Sequence, residues 1–307
     1  MHKIFQKAVL STFLTFIFFS GNAQALCDIS EGKLVTAVSD SANSVKDGGT
    51  DSDTCSSTPD AYELTFYKLG VCKTDPSGGD LRSCTFILNT TAGLRHAVAF
   101  PAEGALDVGP ISIPVGDYPY QVAILSNKIG IKHSTETTND VTGVTGEGKF
   151  CWTSNAGPTG VTNEGSIDTP HGKTVTAGSQ MIECGTKAGT AVFSYEVINT
   201  MGTKCKGAGS GFSAEGGKTD ASAPGGVQAW GSLLKSDGKT WATTCGNAAK
   251  ILWTTKTPKP LAVTASSTFV MNFKTVGSVS IDFSSNPGDN KIEKMGADPI
   301  EGYLSTN

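Results

Sequence analysis

The chain has 307 residues, of which 37 are Gly, 17% are charged and 8% are aromatic, and its formal net charge is −4. So low a charged fraction, against the usual value of about 25%, disfavours coiled coils and solvated helical bundles. The slight acidic excess rules out the basic footprint of a nucleic-acid-binding protein.

Residues 1–25 combine Lys3 and Lys7, an apolar run from Ala8 to Phe19 and the small-residue ending Ala23-Gln24-Ala25. That is the layout of a cleavable signal peptide, and the apolar run falls short of the roughly 20 residues of a spanning helix. The mature chain is expected to begin at Leu26 and to be secreted, either extracellular or at the cell surface, with the periplasm as a further compartment. No later segment is apolar over the length a transmembrane helix needs.

All eight cysteines, Cys27, Cys55, Cys72, Cys84, Cys151, Cys184, Cys205 and Cys245, follow the leader. An even number in an exported chain points to disulfides. Loop-closure entropy favours near neighbours, which gives 27 to 55, 72 to 84, 151 to 184 and 205 to 245, each contributing roughly 3 kcal/mol. Asp75-Pro76-Ser77-Gly78-Gly79, between Cys72 and Cys84, is turn chemistry that brings two strands back together. A zinc site would need closely spaced thiols or histidines, and no two cysteines are closer than 12 positions. No cofactor is expected.

Residues 26–60 read as a polar, loosely ordered N-terminal arm in which only Lys33 to Val38 suggests a strand. Residues 61–133 are strand-rich. Tyr62, Leu64 and Phe66 alternate with polar neighbours, Cys84 to Leu88 follows the turn, and Tyr118 to Leu125 and Lys128 to Ile131 flank Ser126-Asn127 as an expected hairpin. Residues 134–248 read as a loop-rich, disulfide-bearing insertion or second lobe. Its strands are Phe150 to Thr153, Thr174 to Cys184 and Ala191 to Ile198, with a Gly-rich loop from Gly202 to Gly226 and a short helical stretch at Val227 to Leu234. Residues 249–307 return to strands. Phe269, Met271 and Phe273, then Val279, Ile281 and Phe283, alternate as a pair closing a sheet, and a polar tail follows Ser285. The expected fold is all-β, a disulfide-stapled antiparallel β-sandwich.

Tyr62-Glu63-Leu64-Thr65-Phe66-Tyr67-Lys68-Leu69-Gly70-Val71-Cys72, Ile113-Pro114-Val115-Gly116-Asp117-Tyr118 and Ser267-Thr268-Phe269-Val270-Met271-Asn272-Phe273 resemble segments of uncharacterised secreted β-sandwich proteins of marine bacteria. More distantly, they resemble transthyretin-type or immunoglobulin-like surface domains. The resemblance covers residues 61–133 and 250–285. It implies a fold in which the Pro-x-Gly-Asp-Tyr turn introduces a core strand, and it implies no particular function.

Material for catalysis is sparse. His96, His133 and His171 are scattered, and although Asp168 lies near His171, the Gly-x-Ser-x-Gly elbow of a serine nucleophile is missing from the sequence. Glu63, Glu183 and Glu196 fall on expected strands, where a carboxylate ordinarily faces solvent, yet a glycosidase pair is defined by the fold and not by spacing. Gly-Lys-Thr triplets begin at Gly172, Gly217 and Gly238, but Ile167, Phe212 and Leu233 stand where a phosphate loop needs its first glycine. Asp47, Asp51 and Asp53 suggest calcium weakly, because Gly49, Thr50 and Thr58 break the EF-hand order. Trp152, Trp230, Trp241 and Trp253 suit core packing beside disulfides, with Trp230 and Trp241 the better candidates for exposed glycan contacts.

Taken together, these features suggest a non-enzymatic structural or adhesive surface protein. Its expected partners are other copies of itself, in a filament-type assembly by β-strand addition, or another cell-surface component. Lys33, Leu34, Val35, Thr36, Ala37 and Val38 are the candidate donor strand. The rival reading is a carbohydrate-binding module or secreted glycan-active protein working through Trp230 and Trp241.

Overall fold

The computed structural model describes residues 26–36, 45–47, 50–99, 113–154, 182–198, 219–223, 227–243, 245–284, 289–297 and 301–306. The expected leader, Cys205 and His171 lie outside them. The chain is all-β, and the one helical turn among the described residues is a 3-10 turn at Cys245–Asn247.

The N-terminal region forms β1 (Ile29–Ser30), β2 (Lys33–Leu34), β3 (Val45–Asp47), β4 (Thr50–Ser52) and β5 (Thr54–Ser57). Then come β6 (Ala61–Cys72), β7 (Cys84–Ala99), β8 (Gly116–Ser126), β9 (Lys128–Lys132), β10 (Ser134–Thr142) and β11 (Glu147–Thr153). They are followed by β12 (Ile182–Gly185), β13 (Ser194–Val197), β14 (Thr219–Ala223), β15 (Val227–Leu234) and β16 (Lys250–Val263). The last four are β17 (Phe269–Lys274), β18 (Val279–Phe283), β19 (Ile292–Ala297) and β20 (Glu301–Thr306).

The largest sheet has eight strands. β7 pairs with β6, β6 pairs with both β8 and β9, β8 continues to β16, β15 and β14, and β9 continues to β13. A second sheet runs β1-β2-β10-β11-β12, a third β19-β18-β5, and β17 pairs with β20. Residues 134–248 therefore supply β13, β14 and β15 to the same sheet as β6, β8 and β16.

Alternation gives the large sheet two apolar faces. Tyr62, Leu64, Phe66, Ala123, Leu125, Leu233, Ile251 and Trp253 belong to the main core, which also takes in Phe273, Ile281, Ile292 and Leu304 from the other sheets. The Phe66 and Phe273 rings sit 5.8 Å apart. Cys72, Val122, Ile124, Leu234 and Leu252 form a smaller cluster on the opposite face. The switch of parity within β6 comes from a register shift between Phe66 and Lys68, since one extra residue turns the following side chains over.

Three disulfides agree with the pairing expected from near-neighbour closure: Cys27–Cys55, Cys72–Cys84 and Cys151–Cys184. Cys72 lies directly across from Cys84 on the β6–β7 ladder, and Cys151 across from Cys184 on β11–β12. The proposed link of Cys205 to Cys245 rests on a residue outside the described set.

Several local expectations are corrected. Ser126-Asn127 is not a hairpin turn, because β8 and β9 both run antiparallel to β6 as one strand broken only at Asn127. The Asn127 side chain donates to the carbonyls of Ile198 and Ala248, both at 3.0 Å. Its backbone N–H donates to Ala249 and its carbonyl accepts from Ile198. Asn127 thus fills the fork where β13 and β16 diverge on the same side of that strand, and its polarity serves a buried junction instead of an exposed turn. Another single-residue break, at His133, carries the strand on into β10.

β17 and β18 do not pair with each other. The Thr275–Ser278 turn, closed by Ser278 donating to the Thr275 carbonyl, sends β17 to β20 and β18 to β5 and β19. The polar tail supplies β19 and β20, with Ile292, Met295 and Leu304 buried. Val227–Leu234 is an interior strand and not a helix. The N-terminal arm is held by Cys27–Cys55 and by β5 pairing with β18.

Candidate functional site

Two features of the large sheet offer a surface for recognition: its β7 edge and a cavity on its smaller apolar face. β7 has 16 residues and, among the described residues, β6 as its sole strand neighbour. Asn89, Thr91, Ala92, Arg95, Ala97 and Ala99 are exposed. The ladder breaks where Phe66 faces Leu94 and Lys68 faces Asn89, leaving residues 90–93 bulged. Gly93 takes φ +81° there, and a Cβ on it would come within 2.7 Å of Thr65, so glycine is needed for both conformation and space.

Beside this edge, Glu63 accepts two bonds from Arg95 at 2.8 and 2.9 Å and one from the Tyr195 hydroxyl at 2.9 Å. Arg95 also donates to Tyr195, and Lys128 lies 4.9 Å from the Tyr195 ring centre. The hydrogen bond and charge of Glu63 hold Arg95 above its ordinary pKa. Tyr195 is raised too, first by burial and then by Glu63. The group reads as a clasp across β6, β7 and β13.

Glu196 occupies the next rung from Tyr195 and turns to the other face. It is 1% exposed, paired with Lys294 at 3.1 Å and bonded by the Ala297 N–H at 2.6 Å, and burial raises its pKa. This corrects the expectation of a solvent-facing carboxylate: Lys294, which arrives from the C-terminal tail, makes its burial tolerable. Glu183 accepts from Ser154 at 3.2 Å. Glu63 and Glu196, on opposite faces, cannot converge on one bond.

The cavity, about 280 Å³, is lined by Lys68, Leu81, Ile124, Leu234, Lys239 and Leu252, with Gly79 and Gly238 at its margins. Trp241 is half-buried beside it, and a Cβ on Gly79 would come within 2.8 Å of its ring. Trp230, expected to be exposed, is buried at 8% because β15 lies between β14 and β16. The sequence-derived aromatic pair is therefore split.

The triplet beginning at Gly238 is an Asp-capped turn. Lys239 and Thr240 donate backbone N–H groups to Asp237, each at 2.9 Å, and the Thr240 hydroxyl donates at 2.5 Å. These bonds hold Asp237 at a pKa of about 2.

The candidate donor segment begins in its own chain's sheet. Leu34 aligns parallel with Thr137, Lys33 pairs with Glu136 at 2.8 Å, Val35 donates to the Asp28 carbonyl, and buried Thr36 bonds Thr138 and Asn139. Ala37 and Val38 lie outside the described residues. The segment also sits inside the loop closed by Cys27–Cys55. Asp47 and Asp51 belong to a β3–β4 hairpin in which Asp51 faces Lys46 and Asp47 faces Thr50, and Asp53 follows, half-exposed. Among the described residues no three His, Cys, Asp or Glu side chains gather to hold a metal, and no helix is long and apolar enough to cross a membrane.

No family model matches this chain, and no curated protein or solved structure matches it.

Proposed function

We propose that this is an exported structural or adhesive protein, layered as a disulfide-stapled β-sandwich, that associates with further copies of itself through the β7 edge. The observation carrying this reading is the length and exposure of β7, whose 16 residues have Arg95 and half-buried His96 as their only cationic or titratable side chains. Natural edges are usually short, charged or covered. β14 forms the opposite end of the same sheet, so pairing β7 of one copy with β14 of the next would extend a continuous sheet. Such head-to-tail contacts give open filaments, whereas β7 against β7 gives a closed dimer.

Lys33 to Val38 is a less favourable donor than it is in sequence alone, because its use would require displacing β2 inside a covalently closed loop. Three cross-links suit a protein that works in an oxidising compartment.

Light scattering and electron microscopy of chain 26–307 test the reading. The parent is expected to form high-mass assemblies with concentration, and Ala97→Lys with Thr91→Lys to leave monomers of unchanged melting temperature. A parent that stays monomeric at high concentration, or variants that assemble equally well, would sink it.

A further inference from the structure

The cavity on the smaller apolar face combines two kinds of surface. Its floor is Ile124, Leu234 and Leu252, each at most 2% exposed, with Leu81 at the side. Its rim is cationic. Lys68 and Lys239 line it, and Lys250 reaches it from beneath Gly238, its Nζ lying 3.4 Å from where a Gly238 Cβ would stand.

Two of these ammonium groups rest on aromatic faces, Lys68 at 4.9 Å from the Phe86 ring centre and Lys250 at 3.8 Å from that of Tyr67. A cation–π contact places a charge but leaves its N–H donors available to an anion. Among the described residues no carboxylate forms an ion pair with Lys68, Lys239 or Lys250. The nearby Asp237 spends its hydrogen bonds on its own turn, and its charge acts on Lys250 without forming an ion pair with it. Burial lowers the pKa of Lys250, against the charge of Asp237, which raises it, and with that of Lys68, which lowers it a little further. This cationic group stands on a chain whose overall charge is negative.

We propose that this cavity binds a small organic anion with an apolar body, a carboxylate held at the Lys68–Lys239 rim with its hydrocarbon part on Ile124, Leu234 and Leu252. The volume, about 280 Å³, is near the lower end of small-molecule pockets. It suits a chain or ring of about eight carbons. A sugar acid fits less well, because its hydroxyl groups would face aliphatic side chains that offer no hydrogen bonds. The proposal stands apart from edge-to-edge assembly, since the cavity and the β7 edge use different residues.

Calorimetric titration of oxidised chain 26–307 at physiological salt tests it with octanoate, octanol and glucuronate as probes. Octanoate is expected to saturate a single site with a dissociation constant at or below about 1 mM, and to change fluorescence in the parent but not in Trp241→Phe. Octanol and glucuronate are expected to bind at least about tenfold more weakly. Lys68→Gln with Lys239→Gln should weaken octanoate by about tenfold or more, a step of about 1.4 kcal/mol, at an unchanged melting temperature. If that pair perturbs folding, Leu81→Asp on the loop side replaces it, with the same loss expected. Absence of octanoate saturation at several times 1 mM, equal binding of octanol or glucuronate, or full affinity in the lysine variant would each overturn the proposal.

Discussion

Acidification from pH 7 to pH 4 should destabilise the protein by about 3 kcal/mol through His133 alone. His133 lies between β9 and β10 and is 3% exposed. Its backbone is fully used, the N–H donating to Thr153 Oγ1 at 3.1 Å and the carbonyl accepting from the Thr153 N–H at 2.9 Å. Neither ring nitrogen has a hydrogen-bond partner among the described residues. Burial lowers the imidazole pKa from 6.5 to about 4, while the charge of Asp60 pulls weakly the other way. The unfolded chain therefore takes up a proton near pH 6.5 and the folded chain only near 4, so stability falls as pH drops through that interval and levels off below it. At about 1.4 kcal/mol per pH unit the loss is roughly 3 kcal/mol. Urea titrations of disulfide-intact protein at pH 7, 6, 5 and 4 measure it, run in parallel on parent and His133→Gln. Glu196, whose raised pKa acts in the opposite sense, is common to both proteins and cancels in the difference. The variant is less stable than the parent at pH 7 and should gain on it by about 3 kcal/mol at pH 4. Stability curves that stay parallel across the interval would refute the reasoning.

Two further substitutions probe the buried polar groups. Asn127→Ala strips donors from the Ile198 and Ala248 carbonyls and should cost about 2–4 kcal/mol in urea unfolding. Asn127→Asp should not recover that loss, because a carboxylate donates nothing. Lys294→Met leaves Glu196 buried without its cation and should cost about 3–5 kcal/mol at pH 7. Adding Glu196→Gln should recover most of that loss, and a double-mutant cycle without coupling would discount the pair.

Alternation made β6, β17 and β18 legible in the sequence, since Tyr62, Leu64, Phe66, Met271, Phe273, Val279 and Ile281 mark one face at every second position. The three disulfides were legible because each joins cysteines that follow one another in the sequence, and two of the pairs lie directly across antiparallel ladders. Strand partners were not legible, because pairing is decided by distant surfaces. Phe269 to Lys274 and Val279 to Phe283 look like mates, yet each finds its ladder elsewhere. β15 has Gly231 and Ser232 in its interior, and the tail hides Lys294; both departures from apolar patterning make sense only beside the strands they meet. Asn127 imitates turn chemistry because amide groups serve exposed turns and buried forks equally well. The cavity gave no sequence signal, as Lys68, Lys239 and Lys250 come from separate segments joined only by folding.

The extended course from Gly116 to Thr142, broken only by single residues at Asn127 and His133, has a mechanical consequence. Load applied along it is shared in shear by β6 and β16 along β8, by β6 and β13 along β9 and by β11 along β10, so yielding requires many rungs to fail together. The chain thereby carries an internal tendon that resists tension along its length.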